Sequence, residues 1–145
     1  MTTEYFSYPA EVCQDEDGVF ILEFPDFGTG VTAGDTIEEC LNHAEDLLET
    51  MVFSYIEKGL ALPKASPAKD RPLVHLSPMT SAKAGLYMAV NESGISKAEL
   101  GRRLRWHPPQ VVRVMDPRHK STIEQIDKAL AAIGKRLVVF VQDAA

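Results

Sequence analysis

The sequence predicts an α+β protein in two parts, a small sheet with one helix followed by an all-helical unit, on three observations. β-forming residues cluster in short runs before residue 35, and apolar residues recur at helical intervals after it. The charge divides with them: residues 1–70 hold 15 Asp+Glu against 3 Lys+Arg, whereas residues 71–145 hold 6 against 12. Between the halves runs LPKASPAKDRP, rich in Pro, Lys and Ala and expected to be extended. The expected division is residues 1–78 and 79–145. Each half is small enough to be marginal alone, so a dimer partner would add stability.

Residues 5–12 (YFSYPAEV) and 19–24 (VFILEF) read as two strands. They are joined by QDEDG, whose Asp-Gly pair is a strong hairpin signal because Gly18 tolerates positive φ. Pro25 ends the second strand, and a short third strand is expected over residues 29–33. Asp35 or Thr36 can cap the helix that follows, with Glu38 and Glu39 near its positive end. Ile37, Leu41, Ala44, Leu47, Leu48, Met51, Val52, Tyr55 and Ile56 give that helix an apolar stripe from about 36 to 58, and Gly59 closes it. Residues 73–76 form a fourth strand, completing the order β-β-β-α-β.

In the second half, residues 80–91 carry a helical pattern that Gly94 ends. Ser96 and Glu99 have capping-box spacing for a helix starting at Lys97, with Ala98, Leu100, Gly101 and Leu104 on its apolar side; Gly101 allows a close crossing. After a turn over residues 105–107, Pro108 and Pro109 open a further helix. It turns Val111, Val114 and Met115 inward, and Gln110, Val112 and Arg113 outward. A last helix over residues 121–133 leads to KRLVVFVQD, an apolar strand with no partner in a helical unit. Leu137, Val138, Val139, Phe140 and Val141 are therefore expected to pair with a second copy.

Two short helices joined by a tight turn, the second presenting Gln and Arg, form the pattern of a helix-turn-helix DNA reader. Gln and Arg can pair bidentately with adenine and guanine. Ser96, Lys97, Arg102, Arg103, Arg105, Pro109, Gln110, Arg113, Arg118 and Lys120 are the expected DNA-contacting residues, several of them on phosphates. The acidic front half instead suits a basic protein partner. Its carboxylates, including Asp15, Glu23, Asp26 and Asp35, are numerous enough to raise metal-dependent nuclease chemistry. Their places at a hairpin tip and a cap favour turn formation and binding.

No apolar run approaches a membrane span, and the N-terminus lacks the basic start of a secretory signal, so a cytoplasmic protein with no membrane partner is expected. Cys13 and Cys40 lack zinc spacing and read as reduced, buried residues. The expectation is of no catalytic residue, no metal and no cofactor.

The runs YPAEV, DEDGVFILEFPDF and GVTAGDTIEECLNHAEDLLE, followed by SKAELGRRLRWHPPQVVRVMDPRHKSTIEQIDKALAAIGKRL, resemble the HicB antitoxins of bacterial type II toxin-antitoxin systems, in the branch with an Xre-like DNA-binding domain. The resemblance covers nearly the whole chain. It implies a partial RNase H-like front domain that masks a HicA toxin, a small basic ribonuclease, and a DNA-binding domain that represses the operon. Expected toxin contacts are Asp15, Asp17, Phe24, Pro25, Asp26 and Phe27, and the expected assembly is a homodimer or higher even oligomer. Residues 108–115 fall on the recognition helix, with Pro109, Gln110 and Arg113 at contact positions. Arg105 stands where such turns commonly have Gly, and Pro109 where a polar residue is usual. The rival reading is a stand-alone helix-turn-helix repressor with a ligand-sensing front domain.

Overall fold

The computed structural model describes residues 6–144; Tyr5, the expected start of the first strand, lies outside them. The expected first strand is two: β1 (Ser7–Pro9) and β2 (Glu11–Gln14) are separated at Ala10. The break has a physical cause, because the two pieces belong to different ladders. β1 pairs antiparallel with β5 (Leu73–His75), Tyr8 opposite Val74, while β2 pairs with β3 (Phe20–Glu23), Val12 opposite Leu22. Ala10 is buried and donates its N–H to the Pro72 carbonyl at 2.9 Å. β3 also pairs with β4 (Val31–Gly34), so the front half holds a two-stranded and a three-stranded antiparallel sheet, in the order β-β-β-β-α-β.

The hairpin forms as expected. Asp15 Oδ1 accepts the N–H groups of Asp17 and Val19, both at 2.9 Å, and Gly18 takes φ 83°. Helix α1 (Ile37–Glu57) is capped by Thr36, whose hydroxyl accepts from Glu39 N–H. The Glu39 carboxylate returns the favour to Asp35 N–H at 3.0 Å. The buried side of α1 is Cys40, Ala44, Leu48, Met51, Val52 and Ile56. Each such Leu or Val contributes roughly 1.5–3 kcal/mol on burial. Ile37, counted in the stripe, is exposed, as is Cys13, which the alternation of β2 turns outward.

Helix α2 (Pro78–Ser93) starts earlier than expected, at a Ser77 cap with Pro78 in its first turn. One side of it, Ala84 and Tyr87, packs in the front core beside Tyr8, Phe24 and Leu48. Another, Ala82, Leu86, Ala89 and Val90, packs with Leu100, Val111, Val114, Ile126 and Leu130 in a second core. Three shorter helices complete that core: α3 (Lys97–Leu104), α4 (Pro108–Met115) and α5 (Ile123–Ala131). Helix α5 starts two residues later than expected, capped by Thr122, and Ser121 is turned into the interior. Ala98 and Ile123, expected inside, are exposed. Residues 137–141 form no strand within the chain, since no strand edge lies beside them in the helical unit. Among the described residues no helix is long and apolar enough to cross a membrane.

Candidate functional site

The second half presents α4 on its surface with α3 behind it. Gly101 makes the close crossing possible: a methyl there would come within 3.2 Å of Val111 Cγ2. The three-residue turn between the helices depends on Arg105, which adopts the left-handed conformation at φ 57°, ψ 39°. That conformation costs a non-glycine residue roughly 1–2 kcal/mol. It is held by Arg105 N–H donating to Arg102 O at 3.2 Å and Trp106 N–H donating to Gly101 O at 3.0 Å.

At the start of α3, Ser96 Oγ accepts from Glu99 N–H at 3.1 Å, half of the expected capping box. The other half does not form, because the Glu99 carboxylate is taken by Arg102 and Arg103, three and four residues on. Those hydrogen bonds hold the Glu99 carboxyl below its usual range. Arg103 also reaches the Ala132 carbonyl at 3.2 Å, joining α3 to the end of α5.

Helix α4 buries Val111, Val114 and Met115, and exposes Pro109, Gln110, Val112 and Arg113. Gln110 has a task within the protein: its Oε1 accepts the N–H of His107, the N-cap residue, at 2.8 Å. Ser96, Lys97, Arg105 and Lys120 are exposed. Arg118 points elsewhere. Its Nε lies 2.5 Å from Glu57 Oε1 and its guanidinium stacks 4.9 Å from the Phe53 ring, both on α1.

Sequence reasoning missed Lys83. It is 2% exposed on α2, and its ammonium donates to the carbonyls of Arg113 and Val114, each at 2.9 Å, and to Ser121 Oγ at 2.7 Å. Burial pushes its pKa down to about 8, with nearby Asp116 opposing. A lone charge among Ala82, Ala84 and Leu86 was the available signal.

In the front half the expected contact residues separate. Asp15 and Asp17 are exposed at the hairpin tip, with the Asp15 carboxylate occupied by its own turn. Pro25 is exposed; Phe24 and Phe27 are not, being 1% and 4% exposed in the core. Phe27 meets Tyr8 and Tyr55 edge-on at 4.8 and 5.2 Å. Asp26 Oδ2 accepts from Ser66 N–H and Oγ, fastening the extended segment before β5. Among the described residues no group of three or more His, Cys, Asp or Glu is placed to hold a metal ion.

A family profile described as the HicB-like antitoxin of bacterial toxin-antitoxin systems matches residues 7–85. The chain is 37% identical over 143 residues to an antitoxin HicB of Pseudomonas fluorescens (strain Pf0-1), covering 96% of each chain. It is 35% identical over 130 residues to antitoxin HicB 2 of Photorhabdus laumondii, covering 90% of this chain and 92% of that one. With antitoxin HicB of Escherichia coli (strain K12) it shares 27% identity over 131 residues, 90% of this chain and 95% of that one.

Proposed function

The chain belongs to the HicB-like antitoxin family of bacterial toxin-antitoxin systems, and from that premise we propose that it neutralises a HicA-type mRNA-cleaving toxin and represses its own operon by binding operator DNA. The family is one of regulatory antitoxins, not enzymes. The acidic front half attracts the basic toxin, with Asp17, Pro25 and neighbouring surface as the contact region. The basic second half acts as a helix-turn-helix, with α4 in the major groove.

The observation that carries the DNA half is the outward face of α4. Arg113 is exposed there beside Gln110, Trp106 and His119, with α3 packed behind α4 across the Gly101 crossing, and Lys97, Arg105 and Lys120 are exposed on the same half of the chain. Such an arrangement reads base edges from the helix and phosphates from its surroundings. The C-terminal segment supports a homodimer. Leu137 is anchored by its N–H donating to Asp127 Oδ1 at 2.9 Å, while Val138 and Val139 are 57% and 70% exposed. Pairing with a second copy would cover that apolar run and bring two recognition helices to two half-sites.

The ligand-sensing rival has less support. The hollow between Ile56, Tyr87, Asn91 and Met115 holds about 150 Å³, against roughly 300–1,000 Å³ for small-molecule sites. Co-expression with the product of the adjacent short basic reading frame tests the proposal. Rescue of growth and co-purification are expected; a toxic neighbour that the chain neither binds nor silences would refute it.

A further inference from the structure

Val112 is the one large apolar side chain of α4 that faces solvent, at 55% exposure, while Val111, Val114 and Met115 are buried. A single exposed valine is ordinary. Its neighbours make it informative. On an α-helix, residues three and four apart share a face, so Pro109 lies beside both Val112 and Arg113. Pro109 and Arg113 thus form the middle of the outward face, with Val112 on one flank and Gln110 on the other.

Gln110 Oε1 is occupied by His107 N–H, and Asp116 Oδ1, at the end of the helix, accepts from Arg118 N–H at 3.0 Å. A glutamine pairing bidentately with adenine must offer both its oxygen and its NH₂ group. While the cap holds, one lone pair of Gln110 Oε1 is taken by His107 N–H and the direction of the amide is set by the cap. Val112 and Arg113 carry no side-chain acceptor, so the donors adenine N6 and cytosine N4 find no match in these two residues. Guanine O6 and N7 match Arg113, and the C5-methyl of thymine matches Val112.

We propose that Val112 reads a thymine by packing on its C5-methyl in the major groove, beside a guanine read by Arg113. The inference rests on the DNA-binding reading above and names the bases that reading left open.

The experiment uses the full chain and the strongest-binding duplex recovered from its own upstream region or from a random pool. Each thymine is replaced in turn by deoxyuridine, which removes only the C5-methyl, and affinity is measured for the wild type and for Val112→Ala. One buried methyl is worth about fourfold in affinity. The wild type should lose about that factor at one thymine in each half-site, next to the guanine whose replacement hurts most. Val112→Ala should bind the unmodified duplex more weakly by a similar factor and lose nothing further at those positions. Because Val112 is exposed, an unchanged melting temperature accompanies the effect. Indifference of the wild type to every replacement, or an equal loss in Val112→Ala, overturns the thymine assignment while DNA binding stands. A wild type that prefers no duplex over random DNA overturns both.

Discussion

The ammonium of Lys83, on α2, donates to the carbonyl of Arg113, on α4, across 2.9 Å. The last turn of any helix leaves carbonyls without intrahelical partners, and a cation placed there satisfies them and opposes the dipole. Here the cation comes from a helix that also sends Ala84 and Tyr87 into the front core. Tyr87 donates its hydroxyl to Leu60 O at 2.7 Å, and Arg118 pairs with Glu57 on the same side of the molecule. Helix α4 is therefore fastened to the front half.

The pKa of Lys83 gives the first prediction. It is about 8 in the folded protein against 10.5 for an ordinary lysine, so between those values the unfolded chain binds more protons than the native one. Stability from this residue should rise with pH through that window, by at most roughly 1.4 kcal/mol per unit. Below pH 8 both states are charged and its contribution is constant. Urea unfolding of wild type and Lys83→Met from pH 7 to 10 isolates the effect: the wild type should gain on the variant as pH rises. A flat difference would mean that the ammonium is not desolvated.

Arg113→Ala should cost roughly 1–3 kcal/mol of sequence-specific affinity if the side chain reads a base. Titration against operator and random duplexes separates the cases, since an equal loss on both would assign Arg113 to phosphate.

Arg105 and Arg118 should behave in opposite ways. Arg105→Gly relieves a left-handed residue and should raise stability by roughly 1 kcal/mol. It also removes a charge beside the duplex, and should flatten the salt dependence of operator binding by about 0.9 in slope. Arg118→Ala should leave that slope unchanged, because its guanidinium is engaged with Glu57 and Phe53. A reduced slope for Arg118→Ala would show that it leaves α1 for the DNA.

Acid-to-amide changes at Asp15, Asp17 and Asp26 should slow toxin association most at low salt, where steering is least screened. Asp17 is the cleanest probe, since Asp15 closes its own turn and Asp26 holds Ser66. Stopped-flow association at two ionic strengths would read this. Salt-independent rates for Asp17→Asn would place the toxin contact elsewhere.

Helix α1 was legible because its apolar residues lie on one side, as a helix against a sheet requires. Helix α2 was less so. It packs between two cores, its buried residues run nearly around it, and the pattern weakens; its start at Ser77 and Pro78 was missed for that reason. YFSYPAEV reads as one strand, and only the contact of β1 with β5, more than sixty residues away, shows the break at Ala10. Glu99 has capping spacing, yet Arg102 and Arg103 compete for it. The anchoring of α4 by Lys83 joins residues 30 to 38 positions apart, beyond the reach of any local pattern.

The proposed function requires that one chain bind both a toxin and operator DNA. Size-exclusion chromatography with light scattering, on the full chain mixed with a catalytically silenced toxin and an operator duplex, tests it most directly. Co-elution of the chain with the toxin and with the duplex is expected. A toxin that elutes apart from the chain, or a duplex that never co-elutes with it, would contradict the proposed function.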